Sequence, residues 1–164
     1  MAGLTPFQTA GPFLSLGLCA GIVADLTDGP NAIEIRGRML DGRGEPVPDG
    51  VVEFWHPSFT DVRRALTAAD GTYRTNVDQP GAIDGLDGRL QAPHLAVRVL
   101  GRGILTQYLT RMYFPDEPMN GSDPVLLRVP DDRRATLIAT RLGEREYGFD
   151  VTLQGERETV FFQV

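Results

Sequence analysis

The sequence contains no lysine; all 16 of its basic residues are arginine. GC-rich coding favours arginine codons and accounts for this without invoking function. The chemical consequence stands regardless, because a planar guanidinium grips carboxylates through paired hydrogen bonds where an ammonium is only a point charge. Cysteine is nearly absent as well. The lone Cys19 has no partner for an internal disulfide, which fits a reducing compartment. No apolar run approaches the roughly 18 residues of a membrane span, and the first residues lack the basic-then-apolar pattern of a secretory leader. Together these features predict a cytoplasmic protein with no membrane partner. With 22 acidic residues the net charge is −6, so no broad phosphate-binding surface is available and nucleic acid is excluded as a general partner.

Several catalytic motifs are missing. There is no Gly-x-Ser-x-Gly, and Cys19 sits among Gly, Ala and Leu with no base beside it. Asp41-Gly42-Arg43-Gly44 and Gly101-Arg102-Gly103 lack the Gly-Lys-Ser/Thr ending of a phosphate loop. Metal binding would have to draw on two histidines, four tyrosines, one cysteine and the carboxylates. In a strand, residues i and i+2 share a face, so His-x-His or His-x-Asp/Glu aims two donors at one metal. Here Ser58 follows His56 and Ala96 follows His94, so neither pair is complete.

What the chain does contain is a succession of short β patterns. Residues 32–40 alternate and stop at Asp41-Gly42-Arg43-Gly44; residues 50–56 resume, and an Asp70-Gly71 turn leads into a strand over 73–77. Residues 92–114 form two apolar, β-branched runs meeting at Gly101-Arg102-Gly103, which predicts a tight hairpin carrying Arg102 at its tip. Pro124–Pro130 suggests a helical turn, Asp131–Arg134 a cap for another before 136–139, and residues 147–153 and 158–162 two closing strands. Tyr73, Tyr113 and Trp55 read as core or strand-partner aromatics. With no long helical period, no repeat and a length of 164 residues, the expectation is an all-β, single-domain antiparallel β-sandwich with little helix, spanning 32–164. Residues 1–31 form an N-terminal arm and loop, because Pro6 and Pro12 bar a helix while Phe7, Phe13 and Leu14 are too apolar to face water.

Two stretches carry a family resemblance. Gln91-Ala92-Pro93-His94-Leu95-Ala96 and Thr110-Arg111-Met112-Tyr113-Phe114 resemble the hairpin of the intradiol ring-cleaving dioxygenases, whose catalytic chains read roughly Arg-Pro-Ala-His-x-His and Thr-Gln-x-Tyr-Phe. The broken histidine pair, the Gly-Arg-Gly tip and the N-terminal Thr5-Pro6-Phe7-Gln8-Thr9-Ala10-Gly11-Pro12 are similar to the α subunit of a hetero-oligomeric member. The match runs from Thr5 to the C-terminus.

That resemblance implies a role for a chain without a site of its own. Relatives complete an Fe(III) site with two tyrosinates, one after the strand tryptophan and one in a Pro-Gly-x-Tyr segment. Here those regions read Trp55-His56-Pro57-Ser58-Phe59 and Pro80-Gly81-Ala82-Ile83. The resemblance therefore makes His94 a relic of a ligand position and Ile83 and Ala96 lost ligand positions, so this chain would hold no iron. Fe(III) would belong to a partner β subunit, within a higher hetero-oligomer acting on an aromatic small molecule and O2. Thr9, Gly11, Pro12, Phe13 and Arg102 would line the substrate cavity, with Phe13 standing where a tyrosine is familiar. The implied reaction is intradiol cleavage of 3,4-dihydroxybenzoate to 3-carboxy-cis,cis-muconate. Two other readings stay open: a non-catalytic β-sandwich binding or carrier module, which has no reason to keep the apolar arm and Gly-Arg-Gly tip, and a self-sufficient dioxygenase, which fails on donor counting.

Overall fold

The computed structural model describes residues 29–163 and, apart from them, Gly17. Strands β1 (Ala32–Leu40), β2 (Val51–Trp55), β3 (Arg63–Leu66), β4 (Thr72–Asp78), β5 (Ile83–Asp84), β6 (Leu90–Gln91), β7 (His94–Leu100), β8 (Tyr108–Tyr113), β9 (Thr140–Arg141), β10 (Glu146–Gly148) and β11 (Val151–Thr152) follow in chain order. One sheet runs β3-β2-β7-β8 and the other is built around β1; β5 and β6 make a small separate ribbon. Alternation along β2, β7 and β8 sends Val52, Phe54, Leu95, Val97, Val99 and Met112 inward, where they meet Ile33, Ile35, Tyr73 and Val77 of the other sheet. Each such side chain contributes about 1.5–3 kcal/mol by leaving water. The expected sandwich is thus present.

The pairing departs from a purely antiparallel sheet. β4 runs antiparallel to β1, but β10 and β11 lie parallel to it on its other edge. The expected strand over 147–153 is broken at Phe149-Asp150, where the Asp150 carboxylate, rather than a ladder carbonyl, accepts the Arg38 N–H at 2.8 Å. Gly37 makes this break fit. A Cβ there would lie 1.9 Å from the Phe149 carbonyl oxygen, which also accepts the Tyr73 hydroxyl proton. Residues 158–162 are likewise not a strand. Thr159 N–H bonds Thr152 O, Val160 N–H bonds the Thr136 hydroxyl and Phe162 N–H bonds Leu109 O, so the segment spreads its hydrogen bonds over three partners and forms no ladder.

The remaining corrections are local. The β7–β8 connection is a broad loop, 101–107, with a turn closed by Ile104 N–H to Gly101 O at 3.2 Å. Ile104 is the reason: it turns back to cover the core, which a tight tip does not allow. Asp131–Arg134 forms a helical turn itself rather than capping one, after the short 3-10 turn Leu126–Arg128. Tyr73 and Tyr113 are buried as expected, but Trp55 is 43% exposed because it lies on the outer face at the end of β2.

Candidate functional site

The first residue of β7 is His94, and alternation turns it to the outer face of its sheet together with Ala96 and Arg98. The segments 56–59, 80–83 and 118–128 close over that end, so His94 is only 4% exposed. Its Nδ1–H donates to Ala92 O at 2.7 Å, which assigns the tautomer and leaves Nε2 unprotonated. The ring lies 5.4 Å from Tyr113, its cross-strand partner, and edge-on to His56 at 6.4 Å.

His56 enters directly after β2. Its Nε2–H donates to Gly81 O at 3.1 Å, while Nδ1 receives Ser58 N–H at 3.2 Å and lies 2.6 Å from the Ser58 hydroxyl. Both nitrogens are engaged. Burial lowers the pKa of each imidazole, that of His94 to about 4 with help from the Arg111 cation, so both rings are neutral at pH 7.

Beneath them lies Asp123, fully buried. Its carboxylate accepts from Ala92 N–H (2.8 Å), the Tyr113 hydroxyl (3.1 Å), Val125 N–H (2.9 Å) and Leu126 N–H (2.7 Å). Arg111 donates from Nη1 to Gln91 Oε1 at 2.9 Å and to the Tyr113 oxygen at 3.3 Å. Burial pushes the Tyr113 phenol above its usual range, although Arg111 opposes the shift, so it remains a neutral donor. Sequence reasoning missed this network. The Asp123-Pro124 dipeptide, a turn-initiating pair, was the available signal.

An Fe(III) ion does not fit these residues. His56 has no free lone pair, Ala96 supplies a methyl group where a second imidazole is needed, and Ile83 supplies an alkyl chain from β5 opposite Gln91. No group of three His, Cys, Asp or Glu side chains converges on a metal position among the described residues. The end of β7 is a closed polar plug in which both nitrogens of His56 and the Asp123 carboxylate are hydrogen-bonded.

Arg102 lies elsewhere. It belongs to the loop after β7, and His94 and Leu100 at the two ends of that strand are separated by ~20 Å at ~3.4 Å per residue. The guanidinium is half exposed and pairs with Asp49 at 3.4 Å. The structure therefore does not bring Arg102 to His94. Thr9, Gly11, Pro12 and Phe13 lie outside the described residues.

No protein-family model matches the chain. A protocatechuate 3,4-dioxygenase alpha chain of Burkholderia cepacia is 37% identical over 98% of this chain and 97% of its own, and that of Pseudomonas putida is 34% identical over 96% and 95%. The chain belongs to the protocatechuate 3,4-dioxygenase alpha-chain family. The beta chain from Burkholderia cepacia is also similar, at 30% identity over 77% of this chain and 66% of its own, so members of the alpha-chain family share their sandwich with the beta chains. Among solved structures, the dioxygenase domain of a dioxygenase–carbohydrate-binding fusion from Streptomyces sp. SirexAA-E superposes with a TM-score of 0.62 at 22% identity, covering 93% of this chain and 99% of that one. Catechol 1,2-dioxygenase of Acinetobacter sp. ADP1 gives 0.58 at 18% identity over 78% and 54%. The chain thus has the intradiol dioxygenase fold, and its strand β7 begins at the His94 plug.

Proposed function

We propose that this chain is the non-iron α subunit of a protocatechuate 3,4-dioxygenase, active only when paired with an Fe(III)-bearing β subunit whose substrate cavity it completes. The observation that carries the reading is the combination of whole-length similarity to alpha chains with a donor set that cannot hold iron. The reaction inserts both atoms of O2 into 3,4-dihydroxybenzoate and opens the ring between the hydroxyl-bearing carbons, giving 3-carboxy-cis,cis-muconate in cytoplasmic aromatic degradation. The metal chemistry is the partner's. This chain's contribution is binding and orientation: Arg102 meets the anionic substrate, and Thr9, Gly11, Pro12 and Phe13 wall the cavity. A guanidinium suits that task because it offsets the cost of removing a carboxylate or catecholate from water.

A carrier module with no enzyme partner gives no account of the full-length similarity. The test is co-expression with the cognate beta chain. A stable complex, burying more than roughly 2,000 Å² per pair as obligate partners do, should oxidise protocatechuate, while neither chain alone should. Clean monomers that ignore the beta chain would overturn the reading.

A further inference from the structure

The outer face of the sheet built around β1 bears a groove of about 860 Å³. It follows the break between β10 and β11, where Gly148, Phe149 and Asp150 line it. Alternation along β1 and β4 turns Arg36, Arg38 and Arg74 away from the core and into this lining, and Arg157 joins them from the segment after β11. Arg36 directly opposes Arg74, a cross-strand pair of like charges that weakens a sheet unless something offsets it. Part of the offset is internal. Glu146 holds Arg36 at 2.9 Å and Glu34 holds Arg74 at 3.1 Å. Arg38 and Arg157 have no carboxylate partner among the described residues; the Arg38 guanidinium reaches the Asp70 carbonyl oxygen at a long 3.4 Å. Asp150 is the one acid among the described residues of the lining, and it accepts the Arg38 backbone N–H rather than its guanidinium. Leu40, Leu66, Ile138 and Leu142 set an apolar wall beside this charge.

We propose that this groove binds a small organic dicarboxylate or tricarboxylate, an acyclic acid whose carboxylates are set apart on an apolar body. Charge selects the carboxylates: the planar guanidinium fork matches a carboxylate through paired hydrogen bonds, and Arg38 and Arg157 leave that capacity unused. Spacing selects more than one of them. Arg36 and Arg38 leave the same strand two residues apart, so their side chains start ~7 Å from each other, roughly the reach of a six-carbon dicarboxylate. A single inorganic anion covers only part of that row. The leucine and isoleucine wall selects a carbon body, and the volume is that of a small-molecule site. A long polyanion is disfavoured by the chain's net charge of −6. The ring-opened product of the reaction proposed above is a tricarboxylate, so on the α–β reading the enzyme's own product belongs to this ligand class; the binding itself does not depend on that reading.

Isothermal titration calorimetry of the full chain, without a partner and at low ionic strength, tests this with cis,cis-muconate and tricarballylate as probes. Each should bind at one site with a Kd below about 1 mM, and added salt should weaken both, because the arginines face solvent. Hexanoate, with one carboxylate on a chain of the same length, and sulfate, with no carbon body, should bind at least tenfold more weakly. Arg38→Gln and Arg157→Gln should each weaken muconate binding roughly tenfold and leave the melting temperature unchanged, since both side chains are exposed. Arg128→Gln, an exposed arginine that does not line the groove, should bind as wild type does. No heat with either probe overturns the inference. Sulfate binding as tightly as muconate reduces the groove to an unselective cationic patch and overturns it too, and so does full binding in both groove variants. Failure of the chain to pair with a beta chain is read in the co-expression experiment above, and it overturns the α–β reading while leaving this titration as it stands.

Discussion

Asp49 and Arg102 meet across two turns, with Oδ2 and Nη2 3.4 Å apart. Asp49 is the described non-glycine residue with positive φ, at 59°, a conformation that asparagine and aspartate tolerate better than most residues. The turn before β2 lies beside the loop after β7 because Val51 pairs with Leu100. Both partners are about half exposed, so the pair contributes at most about 1 kcal/mol. A hold this weak parks the guanidinium without sequestering it, so if Arg102 meets the substrate as proposed, the substrate carboxylate would have to displace Asp49. Asp49→Asn in the α–β enzyme should therefore leave the melting temperature within a few degrees and lower the KM for protocatechuate by roughly 2–5-fold, because a competing anion has been removed. An increase in KM would show that Asp49 orients Arg102 rather than competing for it.

The plug around His94 should make the chain acid-sensitive in a defined window. Its neighbours are Arg111, Asp123, Tyr113 and His56; burial and then the Arg111 charge lower its pKa to about 4, while Asp123 pulls the other way. Between the unfolded value of ~6.5 and about 4, the unfolded chain carries a proton here that the folded chain does not. Stability therefore falls as pH drops through that window, by about 3 kcal/mol in total, and the contribution is fully present above pH ~6.5. His56, shifted in the same direction, adds to the effect with the same sign. Urea midpoints at pH 7, 5 and 4 should show a shallower acid limb for His94→Gln than for wild type. Parallel curves would remove His94 from the account.

Asp123 holds the 118–128 segment to the ends of β6 and β8, so its loss should be felt as unfolding rather than as a change in any chemistry. Asp123→Ala leaves Ala92, Val125 and Leu126 N–H and the Tyr113 hydroxyl without their acceptor. At about 1–3 kcal/mol per stranded buried donor, partly relieved by water entry, a net loss of ~3 kcal/mol is expected in equilibrium denaturation. A loss below 1 kcal/mol would mean that the segment opens freely.

Metal content follows from the same donors. Expressed alone, the chain should be colourless, with no tyrosinate-to-iron absorption band and iron well below one per chain. Ala96→His returns one imidazole but neither phenolate, and His56 keeps both nitrogens engaged, so that variant should stay colourless too. A burgundy protein in either case would contradict the assignment of iron to the partner.

The sequence made some of this legible and left the rest out of reach for physical reasons. β1 was readable because Ala32–Leu40 alternates cleanly, and β4 because Asp70-Gly71 announces it. Strand direction was not, since a two-residue period is the same whether a neighbour runs parallel or antiparallel, and β10 and β11 are the parallel ones. The run Thr159–Phe162 has strand composition, yet its hydrogen bonds go to separate elements, something composition does not encode. The incomplete His-x-His pair at His94 and Ala96 was legible because i and i+2 face one way. Asp123 and the Arg64–Glu53–Arg98 row were not, because each joins residues distant in sequence. The expected arm contacts at Thr9 to Phe13 fall outside the described residues.

The decisive experiment concerns Arg102, which the structure places in the loop after β7, half exposed and paired with Asp49. If the guanidinium meets the anionic substrate, Arg102→Leu in the α–β enzyme should lower kcat/KM by ~2–4 kcal/mol, the range for losing one desolvated charge-assisted contact. Catechol, which lacks the carboxylate, separates two roles. A guanidinium that grips the carboxylate makes protocatechuate suffer far more than catechol; one that stabilises charge developing as the ring opens makes both suffer alike. Leucine keeps much of the side chain's apolar bulk, and losing an exposed pair with Asp49 costs at most about 1 kcal/mol, so iron content and assembly should match wild type and serve as the control. Wild-type kinetics on both substrates would return Arg102 to the solvent, leaving Thr9, Gly11, Pro12 and Phe13 as this chain's whole contribution to the cavity.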